Sequence, residues 1–235
     1  MRYISKVLLL AVAYFIAAKL GALFTVPPYF SAVVWPGAGI GLATLVVLGQ
    51  RYWVGVFLGA LVVNLQHSPA IDVGSVSISF CIALGAALQA VVGCYVCRRF
   101  VRVLSTLDQA STLINLFCWG GAFASVISAT VGTATLYFAG IVQGPDVAGH
   151  WFFWWLGDVT GVVAFAPAAL LILGVFDKKI EASRRRKWTA TSVMLLAFFA
   201  VGIVYSLAQK LYQTKDSMTC TQEGRLIKRI MPRAK

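Results

Sequence analysis

Long apolar runs separated by short polar loops dominate the chain. Seven runs are long enough to predict helices, with approximate limits at residues 6–26, 32–49, 52–66, 73–97, 112–139, 151–175 and 188–208. A helix needs about 20 apolar residues to cross the hydrocarbon core of a bilayer. The pattern therefore predicts an all-α, polytopic transmembrane bundle embedded in the lipid bilayer, and the seven runs predict about seven crossings.

The charged residues are few, and they are segregated between loops. They make up 12% of the chain, whereas soluble domains carry about 25%. If the N-terminus lies inside, the inside loops hold 12 Lys and Arg residues, and the outside loops at 27–31, 67–72 and 140–150 hold none. Basic residues concentrate in cytoplasmic loops, so we predict a cytoplasmic N-terminus. The net charge of +12 then reflects topology, and no nucleic-acid partner is expected.

The end of the chain departs from this alternation. After seven crossings it should lie outside, yet it carries seven Lys and Arg residues and no further apolar run. We therefore divide the chain into a membrane domain at 1–210 and a polar, basic tail at 211–235. Three explanations stay open: the tail breaks the charge rule, the seventh run does not span, or the tail is the product of a truncation or frameshift. An ordinary disordered tail would have the same composition.

Pairs of glycines four residues apart mark the second and third runs. Gly37 and Gly41 form one pair, and Gly55 and Gly59 form the other. Residues at this spacing share one helix face, and glycine there lets another backbone approach closely. The G-x-G-x-G order does not fit a dinucleotide-binding loop, which needs G-x-G-x-x-G after a strand. We therefore assign these glycines to helix packing and expect the two runs to form a tight hairpin.

Three motifs in order carry a family resemblance: WPGAGIGLA, LGQRYWVGVFLGALVVNL and WWLGDVTGVVAFAP. They resemble the first family of bacterial membrane-associated sensor domains, the MASE group, over about residues 10–210. The matching positions are Trp35, Pro36, Gly39, Gly49, Arg51, Trp53, Gly59, Asn64, Trp155, Gly157, Asp158, Gly161, Ala166 and Pro167. Gly157 and Gly161 again stand four residues apart, and we assign them to helix packing as well.

The resemblance implies a multi-pass sensory module in the bacterial inner membrane. Such modules usually have about eight crossings and precede a histidine kinase or diguanylate cyclase output domain. This chain has seven convincing runs and no recognisable output domain. We therefore expect a signalling module that lacks its own output domain and acts through a kinase, a cyclase or another membrane protein. The alternative function is a small-molecule transporter or a solute-binding membrane subunit.

Asp158 is the most informative single residue, because it lies about seven residues into the sixth run. An ionisable group at that depth is costly and is often functional. One interpretation gives it a ligand, a proton or an ion to bind. The other is an intramembrane ion pair with Lys19, in the outer half of the first run. The sequence leaves both open.

Aromatic side chains surround Asp158 in the segment WFFWWLGD. Trp151 and Trp155 are one helical turn apart and share a face. They form either an aromatic belt at the membrane interface or a wall beside Asp158 that suits a cation or a flat ligand. The candidate residues for sensing a small-molecule ligand are Trp35, Asn64, Trp151, Trp155 and Asp158.

Other reactive side chains give weaker signals. His67 and His150 fall in predicted outside loops, where solvated histidines are far commoner than metal sites or pH sensors. The C-x-x-C motif at residues 94–97 ends an apolar run, and we interpret its thiols as buried spectators. No nucleophile–base arrangement or pair of carboxylates is visible. We expect no enzyme activity, no catalytic residues, no metal and no cofactor.

Overall fold

The computed structural model describes residues 3–23, 25–26, 31–68, 70–100 and 116–174. The seventh run at 188–208 and the tail at 211–235 lie outside these residues. The described chain is helical except for turns and one short antiparallel strand pair, in which Thr25 faces Ala32 and Val26 faces Ser31. The predicted all-α class is thus confirmed for the described residues, with this small addition between the first two helices.

Six α-helices follow one another along the described chain. Their bounds are α1 Tyr3–Ala22, α2 Pro36–Leu48, α3 Trp53–His67, α4 Val73–Phe100, α5 Ala124–Phe138 and α6 Val147–Gly174. Strands β1 (Thr25–Val26) and β2 (Ser31–Ala32) precede α2, a 3-10 turn (Gln50–Tyr52) precedes α3, a π-helical stretch (Leu116–Phe123) leads into α5, and a second 3-10 turn (Gly144–Asp146) precedes α6.

Four helical stretches of the described chain are long and apolar enough to cross a membrane. They are Tyr3–Ala22, Val73–Arg99, Phe117–Phe138 and Gly144–Leu170, and they correspond to the first, fourth, fifth and sixth predicted runs. Helices α2 and α3 have only 13 and 15 residues. At about 1.5 Å per residue neither reaches the roughly 30 Å of a hydrocarbon core. Helix length therefore supports four of the predicted crossings.

The expected tight hairpin of α2 and α3 is wrong, because each of the two helices packs mainly on other helices. Helix α2 packs most extensively on α6, whereas α3 packs on α1 and α4. A Cβ on Gly55 would lie 2.8 Å from the Val7 carbonyl oxygen, and one on Gly59 would lie 2.7 Å from that of Ala11. The backbone that approaches Gly55 and Gly59 therefore belongs to α1.

The other pair of glycines in this region has two different neighbours. A Cβ on Gly37 would lie 2.9 Å from the Tyr14 ring of α1, whereas one on Gly41 would lie 3.3 Å from Val56 of α3. Gly41 is therefore the point where α2 and α3 do approach each other. Gly37 instead makes room for the Tyr14 ring.

The extended segment Ala32–Trp35 lies directly against α6. The Trp35 amide donates to the Gly157 carbonyl at 2.8 Å, and the Thr160 hydroxyl donates to the Val33 carbonyl at 2.7 Å. A Cβ on Gly157 would meet the Ala32 carbonyl oxygen. Non-helical backbone is tolerated inside a membrane protein where protein groups satisfy its hydrogen bonds. These bonds therefore hold the chain in place before α2 begins.

Gly161 extends the same contact by one turn. A Cβ there would meet the Trp35 carbonyl oxygen, and a Cβ on Gly39 of α2 would meet the Gly161 carbonyl oxygen. The predicted packing role of Gly157 and Gly161 thus takes a specific form: α6 presents them to an extended segment and to the first turn of α2.

Basic side chains gather where α1 begins and where α2 and α4 end. Arg98 donates through Nη2 to the Val46 carbonyl in the last turn of α2 at 2.7 Å, and a cation there complements the helix dipole. Lys6 and Arg51 lie 5.9 and 5.2 Å from the centre of the Tyr52 ring. His67 and Val73 are at the far ends of α3 and α4, so the basic end of the bundle lies opposite to them.

The contact at Gly161 predicts a selective sensitivity to added volume. Gly161→Ala should destabilise the solubilised protein by about 1–3 kcal/mol, because its new methyl group meets backbone that cannot rotate away. Gly121→Ala is the matched control, since a Cβ there would lie 3.6 Å from Val162, an ordinary contact. Thermal unfolding in detergent measures both. Equal melting temperatures for the two variants would contradict the packing described.

Candidate functional site

A cavity of about 590 Å³ lies among α1, α3, α4, α5, α6 and the extended segment before α2. Its volume is typical of small-molecule sites. Three of the five predicted sensing residues line it: Trp35, Asn64 and Asp158. They come from three different parts of the chain, and the packing of the extended segment on α6 brings Trp35 and Asp158 to the same cavity.

Asp158 is buried in this cavity without a complete set of partners. Only 2% of its surface is exposed. The Ser128 hydroxyl lies within hydrogen-bonding reach of the carboxyl group, but Oδ2 has no hydrogen-bond partner. A buried polar atom that lacks a partner is costly, and such an atom in a cavity wall is positioned to receive a ligand donor.

Lys19 is not the partner of Asp158, so the alternative ion pair is absent from this structure. The lysine is exposed on α1, and its Nζ lies 5.7 Å from the centre of the Phe15 ring. Helix α1 turns this side chain away from α6 and presents Tyr14 to the cavity instead. The charged groups therefore lie on different faces of the bundle.

Trp151 and Trp155 do not line the cavity. Their rings stack parallel to each other with centroids 6.3 Å apart. Trp151 donates to the Thr130 hydroxyl at 3.1 Å, and Trp155 donates to the Ala122 carbonyl at 2.8 Å. At about 100° per residue, Trp155 lies some 60° around α6 from Asp158, whereas Trp151 lies two turns before Asp158 on nearly the same face but bonds to α5. The pair binds α6 to its neighbour, and the predicted aromatic wall is not built from it.

The aromatic wall of the cavity is formed by Trp154, which the sequence analysis did not select. Trp154 is one helical turn before Asp158 and lines the cavity with it. Its indole N–H donates to the Ser128 hydroxyl at 3.2 Å. A Cβ on Gly132 would lie 2.5 Å from its ring, so Gly132 leaves the room that the indole occupies. The sequence did offer one signal for Trp154, because it stands four residues before Asp158 and therefore on a similar helix face.

Tyr14 is a second lining residue that the sequence analysis missed. It is 2% exposed, and its hydroxyl oxygen accepts a hydrogen bond from the Trp35 indole at 3.2 Å. Its ring lies over Gly37. The conspicuous features of α1 in the sequence are its lysine and its apolar run. Neither indicates that the Tyr14 side chain faces the interior of the bundle.

Both histidines line the cavity; His67 is exposed, as expected, whereas His150 is buried. His150 is 7% exposed, and its Nδ1 lies 3.4 Å from the Thr133 hydroxyl oxygen. His67 Nδ1 lies 2.6 Å from the Val63 carbonyl oxygen. A carbonyl only accepts, so Nδ1 of His67 carries the proton. Among the described residues no group of three or more His, Cys, Asp or Glu side chains is arranged to hold a metal ion.

Asn64 contributes an amide oxygen to the cavity. Its Nδ2 donates to the Ala60 carbonyl one turn earlier, at 2.8 Å. Because that carbonyl only accepts, the nitrogen must face it, and Oδ1 remains as an acceptor. This bond within α3 is local, so the orientation of Asn64 is set before any ligand arrives.

Asp72 caps the N-terminus of α4 and lines the cavity. Its Oδ1 accepts the Ser75 amide at 2.7 Å, while the Ser75 hydroxyl accepts the Asp72 amide at 2.9 Å. These reciprocal bonds are those of a helix cap. The bond from the Ser75 amide holds the pKa of the Asp72 carboxyl below its usual value.

The cap predicts a pH-dependent contribution to stability. Because the pKa of Asp72 is lowered by folding, its stabilisation is present above the unfolded value of about 3.9 and is lost as pH falls through the folded value. Asp72→Ala should therefore melt below wild type at neutral pH, and the difference should shrink in acid. Asp146→Ala, at another exposed loop aspartate, is the control. A difference that stays constant with pH would contradict the cap.

Comparison with known proteins gives one match. The MASE1 family model matches residues 7–215, which is most of the chain and includes every residue of the cavity. No curated protein and no solved structure matches the sequence.

Proposed function

The chain belongs to the MASE1 family of membrane-associated sensor domains, and we propose that it detects a small molecule in the Asp158 cavity and reports it to a signalling output in the bacterial inner membrane. The observation that carries this proposal is the unpartnered Oδ2 of a carboxylate that is 2% exposed. Burying a charge without a partner costs on the order of several kcal/mol. A ligand that pairs with Asp158 would recover part of that cost, so its binding would change the balance between conformations.

Helix α6 is suited to transmit such a change. It carries His150, Trp154 and Asp158 in the cavity wall and continues to Gly174. It also holds α2 through Gly157 and Gly161. Ligand-driven shifts of about 1–2 Å between packed helices are a common signalling movement. The recipient is a histidine kinase or cyclase output domain, or a membrane partner protein that carries one.

The proposal includes seven crossings with a cytoplasmic N-terminus. The grouping of Lys6, Arg51 and Arg98 at one end of the bundle supports it, because basic residues favour the cytoplasmic side. The rim of the cavity at His67 and Asp72 would then open to the outside.

Cysteine accessibility tests this topology in intact cells. In a cysteine-free chain, Ala70→Cys and Asp146→Cys should react with a membrane-impermeant maleimide added outside. Arg51→Cys should react only after the membrane is permeabilised. Labelling of Arg51→Cys in intact cells, with Ala70→Cys protected, would show the opposite orientation. Labelling of all three would show that the third run does not separate the two sides.

A binding test addresses the sensory role itself. An extract of bacterial metabolites below about 500 Da should raise the melting temperature of the solubilised protein, since binding to the native state stabilises it. Asp158→Asn keeps the shape of the side chain and removes its charge, so it should lose this response. Thr130→Ala is the control, because Thr130 bonds Trp151 outside the cavity. An equal response in Asp158→Asn would leave the carboxylate with a structural role only.

A transporter or solute-binding subunit is the second candidate. The observation that favours it is the extended segment Ala32–Trp35 beside Gly157 and Gly161, since non-helical backbone within the membrane commonly lines transporter sites. Uptake of the stabilising compound into liposomes that contain the purified protein separates the two. Uptake above that of protein-free liposomes favours transport, and binding without uptake favours sensing.

A further inference from the structure

The described lining of the cavity holds two carboxyl groups, and its basic side chains are the imidazoles of His67 and His150. Asp72 and Asp158 line it, and no Lys or Arg does among the described residues. The two carboxylates differ in their surroundings. Asp72 accepts the Ser75 amide and compensates the positive end of α4. Asp158 has no such neighbour, so its charge sets the electrostatic character of the cavity.

The N–H groups of the lining side chains are largely engaged within the protein. The Trp35 indole donates to Tyr14, and the Trp154 indole donates to Ser128. His67 donates through Nδ1 to a carbonyl of its own helix. Asp158 Oδ2, by contrast, is a strong acceptor without a donor. A ligand that satisfies this site must therefore bring an N–H or O–H donor, and an anion would find no Lys or Arg side chain in the described lining.

The remaining walls suit the body of an organic ion better than a bare metal ion. Trp35, Trp154 and Tyr14 present aromatic surface, and Ile78 and Ile82 present aliphatic surface. Aromatic rings attract organic cations through their electron-rich faces. A metal ion would need several ligating side chains close together, and the described residues hold no group of three. The volume of about 590 Å³ also exceeds what a single ion needs.

We infer that the cavity selects a small organic ammonium ion, whose N–H groups pair with Asp158 and whose apolar or aromatic body lies against Trp35 and Trp154. This inference rests on the proposed function and names the ligand class of the same site. It does not depend on which output receives the signal.

Charged thiol reagents of matched size test this preference without knowledge of the natural ligand. In a solubilised chain with its five cysteines replaced, a cysteine is placed at Ser79, which is 1% exposed and lines the cavity. The probes are the cationic trimethylammonium-ethyl and the anionic sulfonato-ethyl methanethiosulfonates. Ser77→Cys on the same helix is the matched control, since Ser77 is exposed and lies outside the cavity.

The ratio of cationic to anionic labelling rates is expected to be about tenfold higher at Ser79→Cys than at Ser77→Cys, because a carboxylate in a partly apolar site acts at reduced dielectric. Adding Asp158→Asn should bring the ratio down to that of Ser77→Cys. Asn64→Cys gives a second reporter in the cavity wall if Ser79→Cys fails to fold.

The outcomes separate this inference from the proposed function. Equal ratios at the cavity and control positions, or a preference for the anionic probe, would overturn the ammonium assignment and leave a reachable cavity for a ligand of another class. An unchanged high ratio in Asp158→Asn would overturn the role of this carboxylate. If neither reagent reaches either cavity cysteine, no ligand of this size enters, and both proposals fail together.

Discussion

The contact between the extended segment Ala32–Trp35 and α6 is the constraint on which the site depends. Gly157 and Gly161 let the two backbones meet. The hydrogen bond of 2.8 Å from the Trp35 amide to the Gly157 carbonyl fixes their register. Asp158 directly follows Gly157 in the sequence. The residues that let the chain pack inside the bundle therefore also fix Trp35 beside the carboxylate.

The same contact explains how the bundle holds a carboxylate without a countercharge. Membrane proteins usually pair such groups or expose them to a water-filled cavity. Here Ser128 reaches the carboxyl group from α5 while it also accepts the Trp154 indole at 3.2 Å. The Ser128 hydroxyl thereby positions the carboxyl group, and Oδ2 keeps no hydrogen-bond partner. An arrangement in which supporting groups fix the orientation but do not neutralise the charge is what a binding site for a cation requires.

The sequence allowed the helical class, the family and three lining residues to be predicted, because each depends on a local signal. Hydropathy shows helices, and Asp158 stands out as a charge in an apolar run. The errors concern which face of a helix meets which neighbour. Trp151 and Trp155 stack on each other and bond Thr130 and Ala122 instead of lining the cavity with Asp158. Lys19 lies about 140° around α1 from Tyr14. These orientations depend on tertiary packing. Glycine spacing indicates that another backbone comes close, but it does not indicate which one.

The central claim is that Asp158 is an unpaired carboxyl group in an apolar cavity that small molecules can reach. Its most direct test is modification by dicyclohexylcarbodiimide, an apolar reagent for carboxyl groups, mapped by mass spectrometry over the eight Asp and Glu residues. The account predicts that Asp158 is modified first and that an added alkylammonium ion slows the reaction. Modification of exposed carboxyl groups with Asp158 left intact in the folded protein would contradict it, because a paired or inaccessible carboxylate would behave in that way.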